Sequence, residues 1–389
     1  MRLWYIFLII FSLSLAADQV PVQPTTNKKS LKNQKVRWGE EESFSPEYTS
    51  GFFKKFGLGV WGDGIAINHN SNPKWLQLNF VYGITKDLYG LNLGFANFTQ
   101  GGKYKNEKER ISNVKGLSLV LLTNYYEQST NVTGISLAGG ANILENGDFK
   151  GIALGIVNEV KGNVTGFALG ILWNGIDKGK NFKGIAGGMV NRINGNLKGI
   201  VIGGVNGTDS TGTLTGISLG VANFAKEIKG IMIGGANSTI EEGDLSGLAL
   251  GIMNGAIQGN LQGVIMGGYN FTGGEPFANT NRGGELKGLV VGLVSNKIEK
   301  DLKGIAIGGL GNVVYGDAYG MEAGLIGNYT GGVSFALQLG TLNYAKESKG
   351  IQIGILNYTP KKARLQLGLI NIAWENPIPI LPIVNFYIK

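Results

Sequence analysis

The sequence predicts an all-β, repeat-built domain, and three observations support this. A unit of the form Gly-Ile-Ala-Gly-Gly-Met-Val-Asn, seen at 184–191, recurs along most of the chain. Within each unit apolar residues alternate with small or polar ones, which is the period-two pattern of β-strands. Turn-forming pairs such as Asn-Gly separate successive units. Because each repeat needs its neighbours to bury its apolar surface, we expect one long domain.

The composition restricts the class of protein further. The 389 residues include 65 Gly and no Cys, and charged residues make up 16%. Glycines recur four residues apart rather than three, which argues against a collagen triple helix. The net charge of +8 is spread over turns, so we expect no nucleic-acid partner.

The N-terminal residues have the pattern of a secretory signal peptide. A basic residue precedes an apolar run that ends at Leu15, and two alanines follow. We expect a signal peptide over 1–17, a flexible polar leader over 18–51 and the repeat-built β domain over 52–389. The mature protein is therefore expected to be exported.

An asparagine marks the end of each repeat unit. Successive markers lie 14 to 18 residues apart, except for gaps of 27 and 26 residues after Asn97 and Asn270. The two long connections, loops 98–115 and 271–287, are candidates for contact with a host or envelope partner. At the C-terminal end the period of 14 leaves strands of about 10 residues, the length that crosses a membrane as a tilted β-strand.

Strict alternation gives each strand a small, mildly polar face and a large apolar face. Gly350 and Gln352 share the first face, whereas Ile351, Ile353 and Asn357 share the second. An outer-membrane barrel would place the apolar face in lipid, and a β-solenoid would place it inside a coil. The Asn-Gly turns predict hairpins and hence antiparallel neighbours. We therefore expect an antiparallel up-and-down β-barrel of outer-membrane type, with a β-solenoid as the alternative.

The C-terminal tail argues against closure of such a barrel. Pro379 and Pro382 cannot donate ladder hydrogen bonds, although a closing strand would be bonded on both sides. In a solenoid the same prolines would suit an end cap.

A barrel would direct a set of polar side chains into its lumen. These side chains are Gln77, Asn92, Ser136, Ser218, Glu322, Gln338, Gln352 and Gln366. Glu322 is the one carboxylate clearly within a repeat strand, and in a lumen it could tune ion selectivity.

We expect no catalytic, cofactor-binding or metal-binding residues. The expected function is a passive pore or structural surface protein in contact with the outer-membrane bilayer. The alternative is a secreted or surface-attached solenoid for adhesion or structural spacing.

The repeat resembles that of a known family. The resemblance rests on three sequence features. They are the repeated Gly-Leu/Ile-x-hydrophobic-Gly-x-x-Asn pattern, the segment Leu-Gln-Leu-Gly-Leu-Ile-Asn at 365–371 and the segment Leu-Pro-x-x-Asn-Phe at 381–386. They are similar to bacterial surface-repeat proteins known from leptospiral spirochaetes and other double-membraned bacteria, and the similarity implies a place at the outer membrane or cell surface of such a bacterium. The resemblance implies a place at the outer surface or outer membrane, and it brings no catalytic motif.

Overall fold

The computed structural model describes residues 65–67, 76–79, 83–85, 87–99, 111–127, 130–177, 179–209, 211–240, 242–273 and 284–387. All of them belong to the second of the two units into which the chain divides, Phe53–Lys389. The signal peptide and the leader predicted from the sequence lie outside the described residues. So do the central parts of the two long loops, 100–110 and 274–283.

The described residues form a single β-sheet of 23 strands. In chain order the strands are β1 Ile65–Ile67, β2 Leu76–Asn79, β3 Gly83–Thr85, β4 Leu88–Thr99, β5 Ser112–Tyr126, β6 Thr130–Ala138, β7 Ala141–Leu144, β8 Phe149–Val160, β9 Val164–Ile176, β10 Phe182–Ile193, β11 Leu197–Thr208, β12 Thr213–Ala225, β13 Glu227–Thr239, β14 Leu245–Ile257, β15 Leu261–Gly273, β16 Leu286–Ile298, β17 Leu302–Gly308, β18 Gly311–Val314, β19 Ala318–Ser334, β20 Leu337–Ile353, β21 Leu356–Thr359, β22 Ala363–Ala373 and β23 Ile380–Phe386.

Successive repeats pair in parallel, with equivalent positions opposite one another. Between β10 and β11, Gly184 lies opposite Gly199 and Asn191 lies opposite Asn206. The same register continues into β12 and β13. Parallel pairing of consecutive repeats requires the chain to return to its starting edge each time, so the fold is a parallel β-solenoid of about 16 coils. The predicted antiparallel barrel is therefore wrong, and the fold is the solenoid given as the alternative.

The Asn-Gly turns were the reason for the error. The turn at 194–196 joins β10 to β11, which are parallel neighbours rather than the arms of a hairpin. Its Asn196 side chain donates a hydrogen bond of 3.0 Å to Asn181 in the preceding turn. These asparagines therefore stack turn upon turn along the solenoid. With no barrel among the described residues, the passive-pore interpretation loses its support.

Each coil consists of two strand segments that meet at a glycine corner. The corner is clearest where the segments separate, between β6 and β7 at Gly139 and Gly140. In the coil that begins near Lys349 the bend falls at 354–355. Gln352 and Asn357 are both buried although they are five residues apart. The strict alternation predicted from the sequence thus fails at the corner. Even-numbered residues such as Gln352 point inward before the bend, whereas odd-numbered residues such as Asn357 point inward after it.

Four inward positions per coil fill a narrow interior. In the coil formed by β10 they are Phe182, Ala186, Asn191 and Ile193, each at most 1% exposed. The first two belong to the segment before the corner, and the last two belong to the segment after it. The second inward position holds Ala186 in this coil and larger residues such as Met232 in others, so side chains of different size fit between the two segments.

The inward asparagines form a hydrogen-bonded ladder along the interior. From Asn124 to Asn371, each Nδ2 donates to the Oδ1 of the asparagine in the next coil at 2.7 to 3.1 Å. Most of these amides also donate to a backbone carbonyl of the next coil, as Asn206 does to Leu219. The ladder satisfies amide groups that would otherwise destabilise a dry interior.

The first glycine of each coil permits the coils to stack closely. Gly184 has φ +145°, a conformation that side chains rarely adopt, and a Cβ there would overlap the carbonyl oxygen of Gly166 in the preceding coil. The position is therefore restricted to glycine by both backbone conformation and space.

The last strand caps the solenoid. β23 pairs with β22 in antiparallel fashion, the one reversed pairing among the described strands. Pro382 lies within β23 and lacks an N–H donor, which makes the outer edge of this strand a poor template for further pairing. The prolines thus occupy the end cap that a solenoid would need.

Candidate functional site

The eight polar residues assigned to a lumen lie inside the coil. Gln77, Asn92, Ser136, Ser218, Glu322, Gln338, Gln352 and Gln366 are all fully buried. Because they fill the space between the two segments of each coil, no solute passes along them. Ser136 and Ser218, for example, each donate to a ladder asparagine, Asn142 and Asn223 respectively.

Four of these residues form a hydrogen-bonded glutamine column, which comprises Glu322, Gln338, Gln352 and Gln366. Gln366 donates to Gln352 at 2.8 Å, Gln352 donates to Gln338 at 2.8 Å, and Gln338 donates to Glu322 at 2.9 Å. Thr330 also donates to Glu322 Oε2 at 2.8 Å. All three amides therefore direct their donors toward the carboxyl group of Glu322.

The carboxyl group of Glu322 is the clearest perturbed acid of the described interior. Burial raises its pKa to about 7, although the hydrogen bonds from Thr330 and Gln338 act in the opposite direction. Its Oε1 atom accepts no hydrogen bond. A perturbed acid can mark a catalytic site, but this one lies in the packed interior, where a substrate has no access. We therefore assign it a role in stability.

The chemistry available to a partner lies on the outer surface of the coil. An apolar face is formed by the residues one and three positions after the first glycine of each coil, from Leu117 and Leu119 to Ile305 and Ile307. Gly187 is the one non-bulky member. Ile202, near the middle, is 50% exposed. The side chains at these two positions project outward because alternate residues of a strand point to opposite faces and the residue between them points inward.

A ridge of apolar side chains borders the apolar face at the corner. These side chains follow the second glycine of a coil, and among the most exposed are Ile252 at 71% and Leu293 at 79%. Ile171, Val221, Leu325 and Leu369 occupy the same place in other coils. The apolar face and this corner ridge together make one apolar side of the solenoid.

A basic column borders the apolar face on its other side. It is formed by the residue immediately before the first glycine, and these residues stack in register from coil to coil. Along the solenoid they are Lys115, Thr133, Lys150, Thr165, Lys183, Lys198, Thr215, Lys229, Ser246, Gln262, Lys287 and Lys303. All seven lysines are exposed, and the column contains no acidic residue.

Carboxylates next to the basic column neutralise only part of it. Glu285 lies 3.0 Å from Lys287 and 3.1 Å from Lys303, and Glu227 lies 2.9 Å from Lys229. The hydrogen bond from Lys287 lowers the pKa of Glu285, and the one from Lys229 lowers the pKa of Glu227. Lys150, Lys183 and Lys198 have no carboxylate partner within the part of the chain that the structure describes. The central stretch of the column is therefore the most basic.

A second surface feature lies near the C-terminal end. Tyr329, Tyr344 and Tyr358 form a tyrosine column with ring centroids 4.8 and 5.7 Å apart. Beside it lies an open groove of about 450 Å³ lined by Leu310, Ile326, Leu342 and Leu356 as well as the tyrosines. The three tyrosine rings thus stack on one another from coil to coil.

No protein-family model, curated protein or solved structure matches this chain. The resemblance to leptospiral surface-repeat proteins stays a prediction. Among the described residues, no three His, Cys, Asp or Glu side chains come together as a metal site would require. A helix of the length and apolarity needed to span a bilayer is also absent from them.

The basic column is the feature that the sequence analysis overlooked. Charges were assigned to turns, yet Lys150, Lys183 and Lys198 lie within β8, β10 and β11. The signal was present, because Lys-Gly followed by a large apolar residue recurs in these repeats. The column can be recognised only from the pairing register of the strands, because that register places the lysine of one coil next to the equivalent residue of the following coil.

Proposed function

We propose that this protein is an exported β-solenoid that is attached to the bacterial surface and serves there as an extended structural element. The observation that carries the proposal is the parallel pairing of equivalent positions from coil to coil, without a register shift from β10 to β15 and reinforced inside by the asparagine ladder. At about 4.8 Å per coil, about 16 coils extend roughly 75 Å. Such an arrangement suits spacing and support, because each coil is held by its neighbours over its whole length.

Export rests on the N-terminal sequence pattern, surface attachment rests on the resemblance to surface-repeat proteins, and both are tested in cells that express the full chain. We expect N-terminal sequencing to find cleavage near Ala16 or Ala17, and protease added to intact cells to digest the protein. A cytoplasmic protein of the same cells should remain intact as a control. Recovery of the uncleaved chain from the cytoplasm, protected from protease, would overturn the proposal.

Adhesion is a second candidate function, and the placement of the two long loops favours it. Loop 98–115 joins the end of β4 to the start of β5, and loop 271–287 joins the end of β15 to the start of β16. Both therefore connect the second segment of one coil to the first segment of the next, and they share one edge of the solenoid. Ten repeats separate them, which corresponds to about 48 Å. Two loops on one edge could engage one extended partner.

Loop replacement tests this second candidate. Residues 101–109 and 275–282 are replaced, separately and together, by short Gly-Ser linkers, and cells are assayed for attachment to extracellular-matrix proteins. We expect each single replacement to weaken attachment and the double replacement to abolish it. A control Gly-Ser linker in place of residues 241–242, which follow β13 in the chain as the long loops follow β4 and β15, should have no effect. Unchanged attachment of the double variant would exclude adhesion through the loops.

A further inference from the structure

The apolar side of the solenoid is too large to be an incidental surface. Between the coils of Lys115 and Lys303 it runs about 53 Å at about 4.8 Å per coil, and each of its two columns takes up about 6.6 Å of width, so the face is about 13 Å wide. This gives an apolar face of roughly 700 Å², whereas the largest apolar patch of a typical monomer covers about 300 to 600 Å². The corner ridge adds further apolar surface. A contiguous apolar area of this size calls for a covering partner.

The charge at its border indicates the chemistry of that partner. The basic column runs beside the apolar face over the same coils, and Lys183 projects from the same side of β10 as Ile185. Long lysine side chains can place their ammonium groups at a polar boundary while their methylene stems lie on apolar surface. An apolar strip with a line of cations along its edge matches a lipid surface, where acyl chains lie beneath anionic headgroups.

We infer that this side of the solenoid lies flat on an anionic lipid bilayer, with the apolar face and corner ridge among the acyl chains and the basic column at the headgroups. The inference deepens the proposed surface attachment and rests on it, since it names the surface to which the solenoid attaches. The solenoid is the β counterpart of an interfacial amphipathic helix: it lies in the interface and does not cross the membrane.

The experiment measures binding of the purified mature chain, without residues 1–17, to vesicles by flotation. One set of vesicles is phosphatidylcholine, and the other contains added phosphatidylglycerol. We expect tight binding to the phosphatidylglycerol vesicles, weaker binding to phosphatidylcholine alone, and a loss of the difference at high salt because screening weakens the lysine contribution. Equal binding to both vesicle types, or no binding, would overturn the inference.

Variants locate the binding surface. The triple substitution Lys150→Gln, Lys183→Gln and Lys198→Gln should lower the partition coefficient on anionic vesicles about 100-fold, at about fivefold per lysine near an anionic surface. The matched control replaces three exposed lysines outside the basic column, Lys226, Lys346 and Lys361, by glutamine and alters net charge equally. Equal effects of the two triple variants would show that net charge alone drives binding, and would refute the assigned surface.

The apolar face is tested separately. Ile202→Thr with Ile233→Thr preserves β-branched residues in β11 and β13 while removing apolar contact, and it should weaken binding to both vesicle types. Circular dichroism and the unfolding midpoint establish that each variant is folded. If the wild-type chain does not bind vesicles but forms dimers, and the Ile202→Thr/Ile233→Thr variant is a monomer, the apolar face binds a second copy of the chain and the lipid inference is overturned.

The two proposals can fail independently. Vesicle binding is measured on purified protein and does not depend on where the cell delivers it. If protease digests the protein on intact cells but the purified protein does not bind vesicles, surface attachment is supported and the inferred lipid contact is overturned. If vesicles bind it but the cell retains it in the cytoplasm, the proposed function falls.

Discussion

Replacing Glu322 by glutamine should remove a specific pH dependence from the stability of the solenoid. Glu322 is fully buried, and its Oε2 atom accepts hydrogen bonds from Thr330 and Gln338. The amide oxygen of a glutamine can accept both bonds, so Glu322→Gln retains the glutamine column while it removes the ionisable group. The variant therefore isolates the free energy of ionising one buried carboxyl group.

The sign and size of the effect follow from the pKa. Burial raises the pKa of Glu322 from 4.5 to about 7, so the folded state binds the proton more tightly than the unfolded chain does. Stability from this group is fully present below about pH 4.5 and is lost as pH rises to about 7, with a total of about 3 kcal/mol. Above about pH 7 the carboxyl is ionised in both states, and the loss is complete.

Urea unfolding, followed by circular dichroism between pH 4.5 and pH 8, provides the measurement. We expect Glu322→Gln to match the wild type near pH 4.5 and to exceed its free energy of unfolding by about 3 kcal/mol at pH 8. The control, Glu375→Gln, changes an exposed carboxylate and should leave the pH profile unchanged. Identical profiles for the wild type and Glu322→Gln would refute the reasoning, because the buried carboxyl would then not be titrating in this range.

Three further substitutions test the interior and the surface of the coil, each by its free energy of unfolding in urea. Asn206→Ala breaks a ladder in which Asn206 accepts from Asn191 and donates to Asn223, and it should cost about 2 to 4 kcal/mol, whereas Asn196→Ala in the exposed turn ladder should cost less than about 1 kcal/mol. Gly184→Ala should lower the free energy of unfolding by at least about 3 kcal/mol, because of the positive φ of Gly184 and the overlap of a Cβ with the carbonyl oxygen of Gly166. Gly207→Ala should lower it by less than about 1 kcal/mol, because the nearest atom to its Cβ would be 3.7 Å away. Tyr344→Ala removes the middle of the tyrosine column and should cost about 1 to 3 kcal/mol, whereas Tyr344→Phe should be nearly neutral. Equal costs within any of these pairs would contradict the corresponding explanation.

The strand content of each repeat could be predicted because it depends on local pattern. Ile351, Gln352 and Ile353 alternate within one segment, and the structure places the isoleucines outside and the glutamine inside. The prolines of the tail were likewise informative. Pro382 cannot donate to a neighbouring strand, and the structure places it in the terminal strand β23.

The direction of pairing could not be predicted from the same local pattern. An Asn-Gly turn between apolar residues can end a hairpin, or it can lead the chain into the next coil of a solenoid. What decides between them at 194–196 is the stacking of Asn196 on Asn181, which lies in another turn. The inward placement of Asn191 is also non-local, because its acceptor is Asn206 in the next coil.

The apolar residues of each coil fall into two sets. Inward residues pack the interior and stabilise the fold, whereas outward residues form the apolar face of the surface. The inward position between the two columns of the apolar face accepts residues as different as Ala186, Ser218 and Met232. The flanking outward positions, by contrast, are almost without exception large and apolar from Leu117 to Ile307. Burial inside the coil cannot explain this preference, since these side chains do not enter the interior.

Folding in water alone would be served equally well by threonine or other polar β-formers at the outward positions, as in sheets with one solvated face. The apolar preference therefore supports the inferred contact with a partner surface, and the residues that border the apolar face are seven lysines and five neutral polar residues, with no acidic residue in the column. A protein partner could accommodate either sign of charge at that border. Lys150, Lys183 and Lys198 have no carboxylate partner among the described residues, and unpaired lysines of this kind favour an anionic bilayer surface.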